Sequence, residues 1–117
     1  MKYGIALQSI IPMRKQPTHR SEMVNQLLFG DTYICNNVSD DWVYITSCYD
    51  EYSGWISLNQ HSTISEDDFL NYCEPKYINV SLVDYLYDSG GNIYPITFGC
   101  WLPNFDASNK SLLINIV

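Results

Sequence analysis

The stretch YDEYSGWIS, residues 49–57, sets Tyr49, Tyr52 and Trp55 around Asp50 and Glu51 within nine positions. A connection this polar is not buried as a unit. Two rings and two carboxylates on one exposed loop can stack an apolar stem and pair with an amine. Tyr52 is the leading candidate for ligand contact and Tyr49 the second. Trp55 reads differently: Gly54 allows the backbone a tight approach, and Trp55 and Ile56 enter a strand that anchors the core. Trp42, opening WVYIT, is expected to do the same.

Nucleophilic chemistry would need a thiolate activated by histidine and oriented by a third group. The histidines are His19 and His61, and the cysteines Cys35, Cys48, Cys73 and Cys100. Cys48 with His61 is the conceivable dyad, but Cys48 lies in a β-like run and no further histidine orients the pair. No catalytic residue is therefore assigned. The cysteines lack the close spacing of a zinc or redox motif, and the histidines are far apart, so no metal site and no cofactor are expected. Cys35 and Cys48 read as reduced, structural thiols. Gly90-Gly91 opens no helix, which removes a phosphate-cradling loop.

The elements that must position these groups come from a 117-residue chain, 46% hydrophobic and 15% aromatic, long enough for one modest core or two very small ones. Net charge is −7, with four basic against six acidic side chains in residues 1–60 and two against seven in residues 61–117. Such a surface repels nucleic acid and anionic membranes and suits ligands that carry an amine. No apolar run approaches a bilayer span, and MKYGIALQSIIPMRK lacks a signal-peptide pattern. Of the two compartments considered, that favours the cytoplasm over the periplasm.

Short apolar runs separated by turn residues fill the first sixty positions and predict a small, mainly β barrel over residues 1–60. Ser21 in SEMV offers a cap for one short turn. STISEDDFLNYC predicts a linker helix within residues 61–75, with Ser65 as N-cap, acids in the first turn, Phe69, Leu70 and Tyr72 packing down, and Pro75 as the stop. Residues 76–117 then predict three strands of a partial second β unit, with PNFDASNK as a loop. A chain ending on the apolar SLLINIV suggests completion of that unit by further chain or by self-association.

IPMRKQP, QLLFGD, DWVYI and YSGWI, in this order, resemble a bacterial SH3 domain. Met13-Arg14 with Pro17, Leu27 to Gly30, Trp42, and Gly54-Trp55-Ile56 hold the pattern's places across about residues 3–60. RSEMVNQLLFGD followed by YDEYSGWI is similar to the first SH3 domain of NlpC-type cell-wall cysteine peptidases. FGCWLPNFD, with Gly99, Leu102 and Pro103, resembles a stretch of the second SH3-like unit in that family. The resemblance implies a noncatalytic module whose partners are a peptidoglycan stem peptide or an adjoining peptidase domain. It also implies that an acid and a tyrosine recognise the free amino end of that peptide. Glu22, Asp31 and Glu51 are all candidates for the acid, Glu22 being equally readable as a first-turn acid beside Ser21. A stand-alone peptide- or protein-binding domain is the alternative, although the tyrosine-rich opening of proline-binding SH3 domains is absent.

Overall fold

Strand-period alternation and turn chemistry divide the first half of the chain into short extended segments. The computed structural model describes residues 2–72, 83–87, 90–97, 105–106 and 111–112. Seven strands come first: β1 (Tyr3–Ile5), β2 (Ile10–Arg14), β3 (Met23–Leu28), β4 (Thr32–Ser39), β5 (Trp42–Ser47), β6 (Ser53–Ser57) and β7 (Thr63–Ile64). They form one antiparallel sheet of order β3-β2-β6-β5-β4-β1-β7. A 3-10 turn, Leu58–Gln60, joins β6 to β7. The mainly β class predicted from the sequence holds.

Parity along β5 and β6 decides what the core contains. Val43, Ile45 and Ser47 face inward from β5, and Gly54 and Ile56 from β6. Trp42, Tyr44, Thr46, Ser53, Trp55 and Ser57 share the opposite face. Both tryptophans, expected in the core, are therefore half-buried on the outer side of the sheet. The register explains it: Val43 stands opposite Ile56, and Ile45 opposite Gly54. Along β5 and β6 the compact β-branched aliphatic side chains point inward, and both indole rings are left outside.

Ala6, Ile11, Met13, Leu27, Tyr33, Val43, Ile45 and Ile56 form the main core, each fully buried. Leu27 on β3 and Tyr33 on β4 meet there although three strands separate them in sheet order, so the sheet curls around its contents. Close backbone approach is part of the packing. A Cβ on Gly54 would stand 3.2 Å from the carbonyl oxygen of Arg14, and one on Gly4 would fall 2.3 Å from the Tyr33 ring.

Helix α1 (Glu66–Tyr72) follows. The Asp68 N–H donates to Ser65 Oγ at 3.2 Å, and Glu66, Asp67 and Asp68 fill the first turn, as the cap and the helix dipole require. The helix packs onto β1. Ile5, Ile64, Phe69 and Tyr72 make a second buried cluster, and the Tyr3 ring stacks on Phe69 at 4.4 Å. Leu70, expected to pack down, is 65% exposed. Phe69 and Tyr72 share one face three residues apart, and Leu70 is turned about 100° from Phe69. Ser21 caps no helical turn. Its hydroxyl accepts from the Gln16 N–H at 2.8 Å, and Met23 begins β3.

A second sheet holds β8 (Val83–Tyr87), β9 (Ile93–Thr97), β10 (Phe105–Asp106) and β11 (Ser111–Leu112) in the order β10-β11-β8-β9. Part of the expected PNFDASNK loop is thus a strand, since Phe105 and Asp106 pair with Leu112 and Ser111. Pro75, Gly99, Leu102, Pro103 and the end of SLLINIV lie outside the described residues. The two sheets touch where Ser9 Oγ donates to the Pro95 carbonyl at 2.9 Å and the Phe29 and Tyr94 rings meet at 5.6 Å.

Two substitutions test this packing in urea denaturation of the whole chain. Ile45→Ala removes a fully buried side chain and should cost roughly 2–5 kcal/mol. Gly4→Ala forces a methyl group into the Tyr33 ring and should cost roughly 1–3 kcal/mol. Wild-type stability in Gly4→Ala would show that the ring has room to shift.

Candidate peptide-binding groove

The β2–β6 seam is held by a single pair, Arg14 opposite Trp55. Beyond it Lys15 leaves for the hairpin loop while Gly54 and Ser53 run on toward the β5–β6 connection. The strands part, and a groove of about 370 Å³ opens between them. Its walls are Lys15, Glu22 and Val24 on the β2–β3 hairpin and Tyr44, Tyr52, Ser53 and Gly54 across from it. Val24 owes its place to a β-bulge. Met13 pairs with Asn25 and Arg14 with Met23, leaving Val24 as the extra residue, and a bulge re-aims a side chain in this way.

Both walls are held in shape locally. On the hairpin, the Lys15 N–H donates to the Glu22 carbonyl at 2.9 Å, and Arg14 Nη1 to the Ser21 carbonyl at 3.2 Å. Opposite, the Ser47 N–H donates to the Tyr52 carbonyl at 2.9 Å and closes the β5–β6 hairpin. The Asp50 carboxylate is already engaged, accepting from Asn25 Nδ2 on β3 at 2.8 Å and from the Tyr52 N–H of its own loop at 3.2 Å. These hydrogen bonds hold the Asp50 carboxyl below its ordinary range although partial burial acts against them. Glu51 takes the left-handed conformation, φ 57°, that lets so short a loop turn. The Tyr44 ring also lies against Trp55 at 5.1 Å, and the His19 ring of the hairpin loop lies against Trp42 at 4.8 Å.

Among the candidate ligand residues, the groove brings together Glu22 and Tyr52. Tyr49, 74% exposed, and Glu51 belong to the same loop as Tyr52 but lie outside the groove lining. Asp31 sits in the β3–β4 turn beside Gly30, whose φ of 87° suits glycine. Its Oδ2 accepts from the Leu28 N–H at 2.8 Å. Burial raises its carboxyl to about 6 against that hydrogen bond, and the Asp50 charge adds to the rise. Lys15, Val24, Tyr44 and Ser53 were not singled out in the sequence. Only Tyr44 left a signal there, by alternating with Val43 and Ile45.

The imidazole of His61 has neighbours other than Cys48. Its Nδ1 lies 2.9 Å from the Tyr33 hydroxyl and 3.9 Å from Cys35 Sγ, and its Nε2 lies 2.8 Å from Thr63 Oγ1. The Ser62 N–H donates to the Tyr33 hydroxyl at 3.4 Å. Cys48 packs against the Ile5–Phe69 cluster instead. Burial pushes the Cys35 thiol up to about 11, the reverse of what a nucleophile needs. Cys35 and Cys48 are both thiols, and among the described residues no group of three or more His, Cys, Asp or Glu could hold a metal ion.

Residues 13–60 match the family described as the bacterial dipeptidyl-peptidase SH3 domain. This part of the chain is a bacterial SH3 domain. The match runs from Met13 on β2 to Gln60 at the end of the 3-10 turn, and every lining residue of the groove falls inside it. No curated protein matches the chain. An SH3 domain is a module that binds peptides or protein partners and is noncatalytic in itself.

The buried carboxyl of Asp31 gives the SH3 domain a pH signature. Its folded value, about 6, lies above the ordinary 3.8, so the folded state holds the proton more tightly. That contribution is complete below 3.8 and is lost as pH rises through about 6. His61 runs the other way, because burial lowers its value below 6.5 and stability falls as pH drops through that region. Unfolding free energy measured from pH 4 to 8 should lose its acid-side decline in Asp31→Asn, leaving the rise toward pH 6.5 due to His61. An unaltered profile in Asp31→Asn would remove Asp31 as its source.

Proposed function

We propose that the SH3 domain is the noncatalytic substrate-reading part of a cell-wall peptidase. In this reading its groove receives the free amino end of a peptidoglycan stem peptide. The observation that carries it is the meeting of Glu22 and Tyr52 in one open groove. A carboxylate there pairs with an ammonium group, and a tyrosine ring offers its face to the same cation or to the short stem behind it. A volume of about 370 Å³ is near the small end for ligand sites and suits two or three residues rather than a long chain. The family description points the same way. A dipeptidyl-peptidase measures its cut from a free amino end, so some wall of its cleft must read an amine.

Affinity should be low. An exposed amine–carboxylate contact contributes about 1 kcal/mol and a cation over a tyrosine a similar amount, whereas millimolar binding already needs about 4 kcal/mol. Stronger binding requires a second wall, which an adjoining NlpC-type peptidase domain would supply by docking along the groove.

The test is an NMR titration of the chain with the amide of L-Ala-γ-D-Glu-L-Ala and with its N-acetylated form. The free-amine peptide should bind with a millimolar constant and shift the amides of Glu22, Tyr52 and Ser53. The acetylated peptide should not. Glu22→Gln should weaken binding by about fivefold, the equivalent of about 1 kcal/mol. Equal binding of both peptides, or shifts confined to other surfaces, would refute an amine-reading groove.

A further inference from the structure

The groove contains a charge that amine recognition does not use. Lys15 lines it beside Glu22, and Tyr44 and Tyr52 stand across from them. Lys15 and Glu22 are cross-strand neighbours at the base of the hairpin, joined through the Lys15 N–H and the Glu22 carbonyl. The same wall therefore carries one side chain with an ammonium group and one with a carboxylate.

We propose that Lys15 reads a carboxylate, so that the ligand of the groove is a short peptide carrying both a free amine and a nearby carboxylate. The inference rests on the reading of Glu22 as the amine partner and adds the second half of the recognition. A zwitterionic ligand placed head to tail against Lys15 and Glu22 satisfies both charges at once. Any contact between the two side chains before binding is an exposed pair, which contributes little and is readily exchanged. The rings of Tyr44 and Tyr52 cover the apolar atoms between the charged ends. A singly charged ligand would leave one of the two groups without its partner.

The same tripeptide amide has one amine and one carboxylate, the latter on its glutamyl residue. Converting that carboxylate to an amide gives a second probe, and N-acetylation a third. The wild-type chain should bind the carboxylate peptide more tightly than the amidated one by up to about fivefold, the factor that an exposed ion pair supplies. Lys15→Gln should equalise the two while still rejecting the acetylated peptide, and Lys15→Arg should retain the preference. Rejection of the acetylated peptide without a carboxylate preference in wild type overturns the role of Lys15 and leaves the amine reading intact. So does a preference that survives Lys15→Gln. Equal binding of the acetylated peptide, or no binding of any of the three, overturns both.

Discussion

The ring of Tyr33 lies on the backbone of Gly4, and its hydroxyl meets His61 and the Ser62 N–H. This contact gathers β1, β4 and the segment entering β7 at one point. Tyr33 belongs to the main core, while Ile5, next to Gly4, belongs to the cluster under the helix. The ring thereby joins two small hydrophobic bodies, neither of which is large. Any side chain at position 4 would push the strands apart, and the helix, resting on β1, would lose its seat. The far seam, where the groove lies, can remain loosely zipped because this side is tightly closed.

The two walls of the groove are built by different means. The hairpin wall depends on backbone bonds at the Lys15–Glu22 step and on a bulge that brings Val24 around. The opposite wall depends on strand parity for Tyr44 and on the Asp50-braced loop for Tyr52. Asp50 is committed to holding that loop, so its carboxylate positions the neighbouring tyrosine. Glu22 remains as the acid of the groove. The candidate acids thus divide: Asp31 serves a turn, Glu51 lies in the loop outside the groove lining, and Glu22 lines the groove with Tyr52.

Much of this architecture could be read from the sequence. The alternation of WVYITS, the turn residues before Trp42 and Gly54, the Ser65 cap and the exposure of Tyr49 and Tyr52 all follow from local rules. The face that points inward did not, because Trp42 and Val43 are both apolar and alternation alone assigns no side. Cross-strand register made that choice, pairing Val43 with Ile56. Register also placed Cys35 rather than Cys48 beside His61, through the succession β4-β1-β7. The bulge at Val24 and the single-pair seam have no local signature. Lys15, a lysine in a polar loop, was invisible until its neighbours were known.

A curled sheet whose β2–β6 seam rests on one pair resembles a clasp with a single hook. Its closure is local and shallow compared with the ladders on either side, where β5 and β6 share five pairs. Anything lodged between Lys15 and Ser53 spans the open part of that clasp and touches both leaves. Its binding then stabilises the closed barrel, by an amount set by the logarithm of one plus the ratio of ligand concentration to dissociation constant. A millimolar ligand would therefore tighten the barrel only once its concentration rose well above its dissociation constant.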